Sequence, residues 1–144
     1  MNEYQEKGHL IVKDFIDPSL AQIALDYVEL KSKTSGLVFN NEPNFVPNSM
    51  TFYADNLTES ILKNSLPKME ELTGLDLLPT YSFMRLYKEG DRLPKHKDRL
   101  SCQIAVSLCI GYSYDDSEYQ WPIYLDGKEV ASKPGEALLY HGTE

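Results

Sequence analysis

The sequence has 144 residues, 42% of them hydrophobic, and a formal charge of −8. That length supports one ordinary core and is short for two domains; the acidic balance disfavours a nucleic-acid backbone as the main partner, because such binding draws on clustered Lys and Arg. No run approaches the roughly 18 uninterrupted apolar residues of a membrane-spanning helix, and the opening MNEYQEKGHL has no basic stretch followed by an apolar one, so a soluble, unexported, cytoplasmic chain with no membrane partner is expected.

The opening GHLIVKDFID alternates and is rich in β-branched and aromatic residues, which predicts a strand closed at Asp17-Pro18. A helix follows, with Asp17 as cap, Pro18 in its first turn, and Leu20, Ile23, Ala24, Tyr27 and Val28 at helical spacing. Residues 39–49, FNNEPNFVPNS, carry two prolines and four asparagines without a period and read as an ordered loop. Between Asn56 and Gly74 a second helix is expected through Ile61, Leu62, Leu66, Met69 and Leu72, with Thr58 as a possible cap, Gly74 as the stop, and Pro67 kinking or splitting it near Ser65.

After Pro79 the pattern turns to strands: YSFMRLY, SCQIAVSLCIGY, WPIYLDG, KEVASK and EALLYHG, separated by Lys88-Glu89-Gly90-Asp91, Asp126-Gly127 and Pro134-Gly135. Helices first and strands afterwards predict a mainly β, α+β fold. The expectation is an antiparallel sandwich or jelly roll in one domain over 1–144, with a helix-rich part over 1–79 and a β core over 80–144. Cys102 and Cys109, if both on one strand, point to opposite faces about 23 Å apart and cannot pair. Two isolated cysteines without a CxxC favour a reducing compartment and buried thiols.

In LPKHKDRLS, strand alternation puts His96 and Asp98 on one face and Lys95, Lys97 and Arg99 on the other. An imidazole and a carboxylate side by side are two corners of the facial triad that holds Fe(II) with open positions. HxD alone is weak: with three histidines and ten aspartates, about one random sequence in five of this composition contains it. A second histidine must come from another strand, and His141 is the downstream candidate, whereas His9 reads as a solvated or packed residue. Lys88, Arg92, Lys95, Lys97 and Arg99 crowd around His96, either to draw an anion to the site or as lysines protecting a strand edge.

From Tyr81 to Glu144 the order of these parts resembles the iron(II)- and 2-oxoglutarate-dependent oxygenases of the prolyl-hydroxylase-like superfamily. YSFMRLYKEGDRLPKHKDR is similar to the strand, turn and HxD strand, SCQIAVSLCIGY to the following core strand, and KPGEALLYHG to the Pro-Gly turn and the strand before the distal ligand. GHLIVKDFID and its helix fit the usual opening, so the likeness spans nearly the whole chain. It implies a double-stranded β-helix with N-terminal packing helices. It also implies iron on His96 and Asp98, 2-oxoglutarate contacts from Tyr87 and Tyr112, and molecular oxygen with a peptidyl, amino-acid or small-molecule substrate. The sequence departs from the pattern at its end, where a distal histidine several residues beyond LLY and a later basic residue are expected. Three readings compete: the sequence stops short of that ligand and of the final strand, His141 takes the role, or the site has been lost. The first is the expectation. Rival functions are a non-catalytic jelly-roll binding module, which predicts no iron, and a cupin-like metalloenzyme, which would show further His or Glu ligands near the HxD.

Overall fold

Ala137, Leu138 and Leu139 are completely buried, since β7 (Ala137–His141) is hydrogen-bonded along both edges. The computed structural model describes residues 2–34, 46–47 and 49–143, so the loop expected over 39–49 lies almost wholly outside the described residues. One edge of β7 takes β1 (His9–Val12), pairing Leu10 with Leu139 and Val12 with Ala137. The other takes β4 (Ile104–Leu108), pairing Ile104 with His141 and Leu108 with Ala137. Both pairings are antiparallel, and the strand order is β1-β7-β4.

Because side chains alternate along a strand, Leu10, Val12, Ile104, Leu108, Ala137 and Leu139 share one face. On it they join Tyr4, Phe15, Ala21, Ala24, Ile61 and Met69 from the helical part to form the core. α1 (Glu3–Lys7) is fixed by a reciprocal cap, in which Asn2 Oδ1 accepts the Gln5 amide and Gln5 Oε1 accepts the Asn2 amide, and it ends at left-handed Gly8. α2 (Pro18–Thr34) starts as expected, with Asp17 Oδ1 accepting the Ser19 amide at 2.8 Å.

α3 (Asn56–Thr73) differs from expectation in two ways. Its cap is Asp55, whose Oδ1 accepts the Leu57 amide at 3.0 Å, while Thr58 turns back to bond Ser82 and the Asp55 carbonyl. Pro67 lies inside one continuous helix rather than splitting it. Pro67 and Lys63, whose carbonyl would have received the missing donor, are both exposed, a place where solvent can satisfy a freed carbonyl at little cost.

The described strands are mainly small antiparallel sheets, as a mainly β fold predicts, but they form no closed barrel and the full jelly roll is not seen among them. β2 (Met50–Tyr53), which the sequence reading missed, pairs antiparallel with β3 (Phe83–Leu86), and β5 (Ile123–Leu125) pairs only with β6 (Lys128–Val130). The result is three small antiparallel sheets of three, two and two strands. The predicted HxD strand has no ladder; residues 91–99 run without regular structure into a single turn of 3-10 helix at Leu100–Cys102. The opening strand is also shorter than GHLIVKDFID predicted, because the chain turns at Asp14, whose φ is 52°.

The Pro134-Gly135 turn ties these parts together. The Gly135 carbonyl accepts the Phe15 amide at 2.8 Å, and its own amide donates to the Cys109 carbonyl at 2.8 Å. Its φ of 86°, with the Ile16 carbonyl 3.2 Å from where a Cβ would stand, calls for glycine. Among the described residues no helix is long and apolar enough to cross a membrane. Cys102 and Cys109 are free and half-buried, the latter just past the end of β4, where burial pushes its thiol up.

Lys31 joins α2 to the cap of α3 through an ion pair with Asp55, which also accepts from the Tyr27 hydroxyl at 3.0 Å. Burial pushes the Asp55 carboxyl up, but the bonds from Lys31, the Leu57 amide and Tyr27 outweigh it and hold the group below the usual range. A carboxyl depressed in the folded state stabilises fully above its unfolded value, about 3.9, and loses that contribution as pH falls through the lower folded value. Asp55→Asn keeps a good cap and removes the pair. Its chemical-denaturation midpoint is expected below wild type at pH 7, with the gap closing as pH falls below about 4; Asp55→Ala should lose roughly 1 kcal/mol more.

Candidate functional site

Asp98 sits where the chain passes the end of β7. Its amide donates to the Gly142 carbonyl at 2.6 Å, and its Oδ2 accepts a long hydrogen bond, 3.3 Å, from the Tyr140 hydroxyl. Strand parity explains the second contact. Tyr140 and Leu138 project from the face of β7 opposite the helical core, and Tyr140 therefore reaches Asp98. Burial first, and then the neighbouring carboxylate, raise the Tyr140 phenol far above its ordinary value, so the hydroxyl remains a donor. Gly142 completes the support: a Cβ there would overlap the Cys102 carbonyl and stand 2.7 Å from Asp98 Oδ2.

His96 lies beside this carboxylate without the help of a strand. Its Nδ1 is 2.9 Å from the Pro94 carbonyl, which can only accept, so Nδ1 carries the hydrogen. Nε2 then faces Asp98 Oδ1 at 3.5 Å. In the neutral imidazole Nε2 is a lone pair, and two converging acceptors need a proton or a cation between them. Half of the His96 side chain and about a quarter of the Asp98 side chain are exposed, which leaves the pair open to solvent.

Near the pair the fold makes contacts that the sequence does not announce. The Cys102 thiol donates to the Tyr81 hydroxyl at 3.1 Å, and the Arg99 guanidinium lies 5.0 Å from the Tyr81 ring centre. Burial, followed by the Cys102 contact, pushes the Tyr81 phenol up to about 12. The Ser82 amide and hydroxyl both donate to Glu59, which ties this corner to the first turn of α3. Parity along LLYHG was the signal available for Tyr140; Tyr81, Cys102 and Gly142 are brought in by tertiary contacts with no local pattern.

Of the expected site residues, the structure brings together His96 and Asp98, with Tyr87 nearby. The Tyr87 hydroxyl accepts from Arg85 at 3.3 Å, and its ring lies 5.5 Å from Trp121 and near enough to Tyr140 to be among the neighbours that raise that phenol. Tyr112 packs elsewhere: its ring stacks on Tyr114 at 4.7 Å and lines a cavity of about 360 Å³ against Pro18, Ala21 and Leu25 of α2. The expected ligand His141 is not brought to the pair. It occupies the other parity of β7, where its ring lies 5.3 Å from that of Tyr4 on the core face. Among the described residues no group of three His, Cys, Asp or Glu is placed to hold a metal.

Lys88, Arg92, Lys95, Lys97 and Arg99 are all exposed, and none joins an ion pair among the described residues. Edge protection loses its basis, because this segment is not a strand edge. Five exposed basic side chains remain on the segment that carries His96.

No protein-family profile matches this chain, and no curated protein matches it by sequence. Among solved structures, the fold is similar to a Pseudomonas putida prolyl-4-hydroxylase, with a TM-score of 0.74 at 12% identity over 99% of this chain and 84% of that one. Likeness at that identity speaks for the fold.

Gly142→Ala tests the support of Asp98. Its new methyl meets the Cys102 carbonyl, a backbone atom that cannot rotate away. A loss of roughly 1–3 kcal/mol is expected in urea denaturation.

Proposed function

We propose that this chain is an iron(II)- and 2-oxoglutarate-dependent dioxygenase in which His96 and Asp98 are two of the protein's metal ligands. The observation that carries this reading is the convergence of His96 Nε2 and Asp98 Oδ1 at 3.5 Å, each with its other polar atom already engaged. Nδ1 is held by the Pro94 carbonyl, which fixes the tautomer and ring orientation that a metal-binding histidine needs. Oδ2 is held by Tyr140, which leaves Oδ1 for the metal. An imidazole nitrogen and a carboxylate oxygen suit non-haem Fe(II), and the likeness to a prolyl-4-hydroxylase fold adds support.

Bound there, iron(II) with 2-oxoglutarate would supply oxidative decarboxylation to succinate and carbon dioxide, coupled to hydroxylation of a C–H bond with molecular oxygen. The chain's own contributions are binding and orientation. The rim of Lys88, Arg92, Lys95, Lys97 and Arg99 attracts the dicarboxylate. Tyr87 offers a hydroxyl to it, and Tyr140 keeps Asp98 from turning away.

Anaerobic titration with Fe(II) and then 2-oxoglutarate tests the reading through the visible charge-transfer band of the chelate. The band is expected in the wild type and absent in His96→Ala. No band in a correctly folded wild type would sink the assignment and leave a non-catalytic binding module. Tyr140→Phe is expected to form the band with metal affinity lowered about 10- to 100-fold, the usual cost of losing a partner that orients a ligand.

A further inference from the structure

We infer that the exposed aromatic loop between Tyr112 and Trp121, whose Trp121 end meets Tyr87, binds a peptide segment carrying Lys or Arg side chains. The inference rests on the reading just proposed only for the reaction that follows binding.

The loop is a connected set of rings. Trp121 lies 5.5 Å from Tyr87 at the site end, and its amide donates to the Tyr114 hydroxyl at 3.3 Å. Tyr114 stacks with Tyr112 at 4.7 Å and meets Tyr119 edge-on at 5.0 Å. These contacts do not bury the set: Tyr112 and Tyr119 are 40% and 46% exposed. Contiguous exposed aromatic surface of this kind marks a recognition site more often than an isolated ring does.

The charge beside the rings selects the occupant. Asp115, Asp116 and Glu118 are exposed on the same loop, and none is in an ion pair among the described residues. Between Ile110 and Gly127 the sequence has no Lys, Arg or His. Asp116 shapes the turn, its Oδ1 accepting the Glu118 amide and its carbonyl the Tyr119 amide, so the carboxylates stay on the ring-bearing segment. Ring faces attract cations through their quadrupole, and nearby carboxylates add to that attraction while repelling anions. The surface already holds one cation of its own: the Arg85 guanidinium lies 5.6 Å from the Tyr87 ring centre and 5.2 Å from that of Phe83. A second cation, from a partner, fits the ring positions farther along. The adjacent basic rim and this acidic loop have opposite signs, so an anionic cosubstrate and a cationic peptide are drawn to neighbouring places without competing.

Trp121 is the only tryptophan in the chain, so its fluorescence reports from within this surface. Titration with a blocked hexa-arginine peptide is expected to shift or quench the emission, with the apparent Kd weakening as NaCl rises from 50 to 500 mM. A triple Asp115→Asn, Asp116→Asn, Glu118→Gln variant should weaken binding at least tenfold, and Tyr112→Leu several-fold. A control removing three exposed charges elsewhere, Glu29→Gln, Glu71→Gln and Asp76→Asn, should leave binding within twofold of wild type. The inference is overturned if the peptide leaves the emission unchanged, if the two triple variants weaken binding equally, or if a blocked hexaproline binds as well. Because no metal is needed for this readout, the two proposals fail separately. A chelate band without peptide binding removes the peptide surface, and peptide binding without a band removes the oxygenase reading alone.

Discussion

Pairing of β7 along both of its edges governs the rest of the molecule. A strand bonded on two sides has its parity fixed, since a slip of one residue would carry Leu139 out of the core and Leu138 into it. Both faces are covered at Leu138 and Leu139, so the register rests on the two ladders that flank the strand and not on the burial of either leucine alone. With the register locked, Tyr140 must face Asp98 and His141 must face Tyr4. The next residue, Gly142, bonds the Asp98 amide. The same strand therefore closes the core and supports the carboxylate of the candidate site.

Charge is distributed on a finer scale than the total of −8 conveys. The segment from Lys88 to Arg99 carries five basic side chains around His96, whereas the segment from Ile110 to Gly127 carries only acidic ones. Screening over about 8 Å at physiological salt lets each stretch act on its own neighbourhood. Net charge therefore says little about an anion next to His96 or a cation next to Tyr112. It bears on extended polyanions, which would have to cross both signs.

The fold was readable where one local rule dominated. Helical spacing with Asp17 before it and Gly74 after it placed α2 and α3, and turn residues such as Pro134-Gly135 and Asp126-Gly127 separated the strands correctly. α1 was missed although Asn2, Gln5 and Gly8 form a complete pair of caps, because five residues give no period to detect. Pro67 does not split α3, since a proline's effect depends on the exposure of the turn around it, which sequence alone does not give. Strand alternation brought His96 and Asp98 together in prediction, yet the segment has no ladder. The Pro94 carbonyl and the end of β7 do that work instead. The contact of Tyr81 with Cys102 was invisible, because it joins positions 21 residues apart with no local pattern between them.

The weight carried by the fold and by the site differs for a physical reason. An architecture tolerates wholesale exchange of apolar residues provided that volume and pattern are kept, so a TM-score of 0.74 is compatible with 12% identity. A metal or cosubstrate site has no such tolerance; it needs particular atoms within a few tenths of an ångström. Shared architecture therefore carries the layout of the elements without carrying what stands at any one place. In this chain an imidazole nitrogen and a carboxylate oxygen converge, each with its other polar atom occupied by the chain. Two converging acceptors need a proton or a cation between them, and the engagement of both remaining atoms is met equally by an imidazolium–carboxylate pair and by a shared metal ion.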